Sequence, residues 1–319
     1  AGGGARRARR MSVDLLCMGE PMLEFNHQPD DGTGRVLYLR GFGGDTSNAA
    51  IAASRQGVRA GYVTAIGTDW AGDAFLRLWA EEGVDTATVI RDPDAPTGVY
   101  FVDHDARGHH FTFYRTGSAA SRYTPAMLPE AAIRAARIFY ASGISQAISA
   151  SAADAVFRAI EIARAAGVPV AYDTNLRLRL WPAARARAVI HEAIAMSDIA
   201  LPSRDDAEAL TGLADPQAIA ERYLSLGPRI VAVKCGKDGA LLATAGGTVV
   251  RAPPHAVTAV DATGAGDTFC GSFLARIILG DAPEAALAYA NAAAALSTTG
   301  YGAVGPIPRR AAVEALLAR

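Results

Sequence analysis

From Val13 onward, short apolar runs of strand character alternate with stretches whose apolar positions recur at helical spacing: VDLLCMG, then TSNAAIAASRQG, then AGYVTAIG, then DWAGDAFLRLWAEEG. Alternation of that kind predicts βαβ units, and so an α/β fold with a mainly parallel sheet and helices on both faces. The pattern resumes with ARIFYASG, a helix over about 149–166, the run VPVAYDTN, a helix opening at Pro182, the run DIALPS, two helices within about 204–226, and RIVAVKCG. It closes with three helices near 264–280, 283–298 and 308–318. No internal repeat is evident, which excludes a solenoid.

Two segments break the alternation. EFNHQPDDGTGRVLYLRGFGG and TGVYFVDHDARGHHFTFYRTGS hold strand-like runs with no helix between them, the second with a hairpin around Asp105–Gly108. Extended strands need partners, so the reading is a small second sheet, near residues 21–40 and 97–115, covering one end of the main sheet as a lid. Its runs FNH, VLYL, VYFV and FTFY are more apolar than a solvated flap needs, which predicts that the lid pairs with that of a second subunit, as a homodimer or a tetramer of such dimers.

The 319 residues are 50% hydrophobic and 20% charged, enough apolar material for a sizeable core and too much for disorder. With 31 basic against 32 acidic side chains the formal net charge is -1, so no global field holds nucleic acid or an anionic membrane, and the expected partner is a small molecule. Cys17, Cys235 and Cys270 are too few and too scattered for a disulfide framework or a metal site, which fits a cytoplasmic setting. No apolar run reaches the ~18 residues that a bilayer span requires. Residues 1–11 are basic and glycine-rich without the apolar core of a signal peptide; they read as a disordered extension or a cloning remnant, and 12–319 as the folded unit.

The most informative stretch is DATGAGDTF, residues 261–269, which follows a strand-like run and opens a helix. Small residues at Gly264, Ala265 and Gly266 let backbone N–H groups converge at a helix N-terminus, a site that welcomes an anion. Asp267 is out of place there unless it caps the helix or takes a proton from whatever attacks the anion. Neither a GxGxxG fingerprint, which would need glycine where Phe269 stands, nor a P-loop is present. The only lysines, Lys234 and Lys237, both lie in VKCGKDGA, where they are either solvated turn residues or compact charges for a phosphate tail. Gly43-Gly44-Asp45-Thr46-Ser47-Asn48 marks a strand-to-helix turn, either a plain cap or a place where Asp45 and Asn48 read the hydroxyls of a ligand. Asp173-Thr174-Asn175-Leu176-Arg177 is a polar run at the carboxyl end of an expected parallel strand, where open α/β sheets bind ligands.

Gly43-Gly44, Asn48, Gly57 and Gly67 toward one end and DATGAGDTF toward the other have the order and spacing of two signatures, and over essentially all of 13–319 the chain resembles the ribokinase/phosphofructokinase-B sugar kinases. The resemblance implies a ribokinase-like fold, with a β lid that often builds a dimer, and ATP and Mg2+ as cofactors. It implies Asp267 as catalytic base and the amides of Gly264, Ala265 and Gly266 as anion hole. Lys234, Gly236, Lys237 and Gly239, with Asn175 and Ser203, would serve the nucleotide, and Asn291 would lie near the adenine. Ser203-Arg204-Asp205-Asp206 stands where the family has Asn-x-x-Glu, so Asp206 would act on magnesium through water. Ala262 replaces the usual Thr.

The stretches YRTGSAAS and DTNLRLRLW resemble the branch that phosphorylates 2-keto-3-deoxygluconate at its terminal hydroxyl. That implies substrate contacts from Gly44, Tyr100, Tyr114, Arg115, Arg177 and Asp267, the two arginines suiting a carboxylate better than a neutral sugar. Phe113 stands where some relatives have a second Tyr. Tyr114 and Arg115 are neighbours on a strand and share a ligand only if the strand bends or ends between them. The alternatives are a fructose- or ribose-type kinase and a non-catalytic sugar- or nucleotide-binding regulator; the intact Gly-Ala-Gly-Asp turn argues against the regulator.

Overall fold

The computed structural model describes residues 13–105 and 108–318. The basic N-terminal stretch lies outside them. In chain order the elements are Leu15–Met18 (β1), Met22–His27 (β2), Tyr38–Gly43 (β3), Asp45–Arg55 (α1), Ala60–Gly67 (β4), Trp70–Glu81 (α2), Val89–Asp92 (β5), Gly98–Asp105 (β6) and Gly108–Tyr114 (β7). There follow Glu130–Ala135 (α3), Ile138–Ser142 (β8), Gly143–Ala147 (α4), Ala150–Ala165 (α5), Val170–Asp173 (β9), Ala183–Ala195 (α6), Ile199–Ala200 (β10), Arg204–Thr211 (α7) and Pro216–Leu224 (α8). The chain ends with Ile230–Lys234 (β11), Ala240–Thr244 (β12), Val249–Ala252 (β13), Ala265–Leu279 (α9), Pro283–Ser297 (α10) and Arg310–Leu317 (α11).

The long helices expected from periodicity are present, their ends shifted by a residue or two. Their limits have local causes. Ser149 accepts from the Ala152 amide at the start of α5, Asp215 accepts from the Ala218 amide ahead of Pro216, and left-handed Gly280 ends α9. The short helices α3 and α4 span too few residues for a period to show.

Nine strands form the main sheet in the order β13-β12-β11-β10-β9-β8-β1-β4-β5, parallel except at the β11-β12-β13 edge. Side chains along its strands alternate between two apolar layers. Leu15 and Cys17 of β1 face the layer built on α1, α2, α9 and α10, while Leu16 and Met18 face the layer built on α5, α6 and α8. A strand covered on both faces reads as an unbroken apolar run, which is why these strands were visible in the sequence.

The lid is a separate four-stranded sheet, β3-β2-β6-β7, in which Asp105 pairs with Gly108 across the expected hairpin. From β1 the chain runs to β4 on one side, whereas β8 enters on the other, so strand order reverses at β1. The carboxyl ends of the strands at such a reversal form a crevice.

Candidate active site

The first turn of α9 forms the floor of that crevice. Gly264 is left-handed, with φ +74°, and a Cβ there would stand 3.0 Å from the Ala303 carbonyl oxygen, so backbone and space both call for glycine. The Ala265 amide donates to the Ala262 carbonyl at 3.2 Å, and this turn bond takes it out of the expected anion hole. The amides of Gly264 and Gly266 remain as candidates for an anion at the positive end of the helix.

Asp267 lies in that first turn, and Asn48 Nδ2 of α1 donates to its Oδ2 at 2.8 Å. Burial, then the nearby Asp45 carboxylate, push Asp267 up to about 7, against the hydrogen bond from Asn48. A carboxyl poised near neutrality is suited to take a proton from a hydroxyl. Asp45 Oδ1 and Asn48 Oδ1 are buried acceptors with no hydrogen-bond partner, as hydroxyl-reading groups would be. Gly44 joins them as the positive-φ turn before α1.

Asn175, expected to serve the nucleotide, is tied to this group: at φ +28° its Nδ2 donates to Asp45 Oδ2 at 2.9 Å. Lys234, expected to face the nucleotide, is also turned inward. Its Nζ donates to Asp173 Oδ2 at 2.6 Å and lies 3.4 Å from Cys270 Sγ. Burial works against the ammonium, but the Asp173 charge outweighs it and the net push is upward. A Cβ on Gly266 would stand 3.7 Å from that Nζ, so the ammonium lies close to the start of α9.

Of the other residues expected to serve the nucleotide, Gly236 and Lys237 lie on an exposed turn, and a Cβ on Gly239 would stand 2.1 Å from the Ala252 carbonyl oxygen. The Ser203 hydroxyl caps α7 by accepting from the Asp206 amide at 3.1 Å. Asp206 Oδ2 in turn accepts from Thr174 Oγ1 and the Leu176 amide, both at 3.1 Å, and so braces the loop after β9. Asn291 donates to the Pro253 carbonyl at 2.7 Å and ties α10 to the loop after β13.

The lid presents one face to this crevice. Tyr100 pairs with Phe113 and Glu24 across the sheet, its hydroxyl donates to Glu24, and a Cβ on Gly43 would stand 2.7 Å from that hydroxyl. Tyr114 is opposite Val99 and packs edge-on against Phe101, on the other face. Strand alternation therefore takes Tyr114 away from Asp267 and puts Phe113 in its place. Arg115, just past the strand, lies over the Phe113 ring at 5.7 Å and pairs with Glu20. Arg177 is exposed on the loop after β9, its Nη1 donating to the Leu176 carbonyl at 2.7 Å.

Sequence reasoning did not single out Glu20, Glu24 or Gly271. A lone carboxylate inside an otherwise apolar run, as in CMGEPMLEF, is the available signal for the first two.

The signature turns, the reversal crevice and the lid all point one way, and the model of the pfkB family of carbohydrate kinases matches residues 14–310. The chain is a PfkB-family carbohydrate kinase. Among its relatives, the 2-dehydro-3-deoxygluconokinase of Thermoproteus tenax is 33% identical over 94% of this kinase and 93% of its own length. Fructokinase-1 of Oryza sativa is also 33% identical, over 88% and 89%. The Escherichia coli protein described as ribokinase II, solved in complex with ATP and Mg2+, is 27% identical with a TM-score of 0.86, covering 96% of this kinase and 99% of that chain. The fold is thus ribokinase-like, and ATP with Mg2+ is the nucleotide form at family level. No helix among the described residues is long and apolar enough to cross a membrane.

Proposed function

We propose that this kinase transfers the γ-phosphoryl group of ATP to the terminal hydroxyl of a 2-keto-3-deoxy sugar acid, giving 2-keto-3-deoxygluconate 6-phosphate from 2-keto-3-deoxygluconate. The observation that carries the chemistry is Asp267, held by Asn48 beside the helix start. As the sugar oxygen bonds to phosphorus, its proton passes to Asp267, the bond from the γ-phosphorus to the bridging oxygen breaks, and ADP leaves. Gly264 and Gly266 amides steady the charge that spreads over the transferring oxygens, with Lys234 close by. Positioning supplies the rest.

Among the described residues there is no group of three or more His, Cys, Asp or Glu side chains that could cage a metal. Magnesium would be held chiefly by phosphate oxygens and water, and Asp206 would act on it through water. Bound in that way, magnesium neutralises phosphate charge.

Arg115 and Arg177 support an acid substrate, since a guanidinium pairs with a carboxylate far better than with a neutral hydroxyl. Asp45 and Asn48 offer acceptors to the hydroxyls, and Tyr100 closes the crevice from the lid. The Oryza fructokinase keeps a neutral-sugar kinase as the second reading. An ATP-coupled assay on a panel of sugar acids and neutral sugars decides between them: the proposal requires the highest kcat/KM on a 3-deoxy-2-keto acid, and preference for fructose or ribose overturns it.

A further inference from the structure

Glu20 lies between β1 and β2, where the chain passes from the main sheet into the lid, and Arg115 lies just after β7, where it leaves again. Their side chains form an ion pair in which Glu20 is 0% and Arg115 12% exposed. Ser118 Oγ donates to Glu20 Oε1 at 2.8 Å. A Cβ on Gly98, at the start of the strand that carries Tyr100, would stand 3.1 Å from Oε1, and one on Gly44 would stand 2.5 Å from the Glu20 carbonyl oxygen. One residue therefore touches the lid strand, the turn before Asp45 and the arginine.

We propose that Glu20 is a positioning residue that fixes the Arg115 guanidinium for the carboxylate of the substrate, a role that rests on the sugar-acid reading. A competitor for Arg115 would have to give it up when substrate binds. Glu20 is closed to water, and stripping the counter-charge from a buried carboxylate is strongly unfavourable, so the pair persists. Glu20 takes Nη2, while Nε is buried with no partner. A guanidinium carries five donors in a rigid plane, and its Cζ lies 5.7 Å from the Phe113 ring centroid, so the donors that Glu20 does not use are left for a second carboxylate.

The test compares Glu20→Gln, Ser118→Ala, Arg115→Ala and the Glu20→Gln/Arg115→Ala double variant, with 2-keto-3-deoxygluconate and with fructose as acceptors. Glu20→Gln should raise KM for the acid about tenfold, equivalent to losing one well-aligned charged hydrogen bond, without moving KM for ATP. Ser118→Ala should raise it in the same direction by about two- to threefold, and it decides the matter if Glu20→Gln does not fold. The double variant should be no worse on the acid than Arg115→Ala alone, because Glu20 acts only through that arginine. A fall in KM for the acid in Glu20→Gln, or additive losses in the double variant, overturns the proposal while leaving the sugar-acid reading intact. If Arg115→Ala treats acid and fructose alike, the sugar-acid reading fails and the positioning role falls with it.

Discussion

Asn48 Nδ2 and Asp267 Oδ2 are 2.8 Å apart although 219 positions separate them in the chain. Two helices bring them together. The α1 and α9 backbones cross where a Cβ on Gly271 would stand 2.1 Å from the Ala49 carbonyl oxygen, so only glycine allows the approach. One carboxylate oxygen of Asp267 is held by the amide, which leaves the other for the role proposed above.

Replacing Asp267 with Asn keeps the shape and the bond to Asn48 but removes the acceptor. We expect kcat to fall by ~10²–10⁴, the usual scale for a lost general base, with ATP affinity within twofold of wild type, about the scale of measurement. Near-wild-type turnover would show that Asp267 is only a helix residue beside a glycine turn.

The pH dependence follows from the same group. Asp267 must be ionised to act, and it is pushed up to about 7, so kcat should fall as the pH drops through about 7. Asn48→Ala removes a bond that favours the carboxylate and should move this limb to higher pH. The sign for stability is opposite: a carboxyl whose folded value lies above its unfolded value near 3.9 stabilises fully below that range and loses the contribution as pH rises through about 7. Asp267→Asn escapes the loss, so its Tm relative to wild type should improve between pH 5 and pH 8, values chosen to fall on either side of that limb. A wild-type kcat limb near pH 4, the ordinary carboxyl range, would refute this reading.

The fold was legible because strands covered on both faces read as apolar runs and their helices as alanine-rich stretches; the DATGAGDTF turn was legible because it stands in order and spacing with the Gly43-Gly44 turn, a pair far more specific than either glycine run alone. What the sequence does not carry is direction. Asn175 sits in the expected loop and Lys234 at the expected strand end, yet Asp45 and Asp173 turn them inward, and those partners lie 130 and 61 positions away. For Tyr114 the resemblance implies a substrate contact, and the register against Val99 decides its face. Glu20 looks like an ordinary acid at a strand end until the lid closes over it.

Gly271→Ala tests the crossing of the two helices. The added methyl meets backbone and not a flexible side chain, so α9 must move from α1, at about 1–3 kcal/mol of stability. The shift separates Asn48 from Asp267, and a displacement of even ~1 Å at a base can lower kcat about a hundredfold. A variant with unchanged Tm and kcat would mean that the crossing does not position the base.

Arg177 and Arg115 should separate by their stability effects. Arg177 is exposed, so Arg177→Ala should leave Tm in place and raise KM for a sugar acid about tenfold or more, as expected for a lost charge-assisted bond of ~1.5–3 kcal/mol, with little effect on a neutral sugar. Arg115→Ala should show the same selectivity and also lose about 3–5 kcal/mol, because Glu20 is left buried without its counter-charge. Equal kinetic losses on acid and neutral sugars in both variants would point to a structural role.

The lid is marginal alone, as small sheets are, and β3 and β7 are its open edges. Leu39, Phe111 and Phe113 are 59%, 38% and 41% exposed on one face of the lid, where they make an apolar patch. Pairing two lids would cover the patch and give both edges partners, so we expect a homodimer, or a tetramer built from such dimers, through residues near 21–40 and 97–115. Light scattering at micromolar concentration should return at least twice the 33.1 kDa of one chain, and Leu39→Lys should shift the mass toward the monomer by placing a charge in the contact. A monomer mass for the wild type would rule out the assembly and leave the exposed aromatic residues to closure over substrate; a Leu39→Lys protein that stays dimeric would move the contact away from the lid.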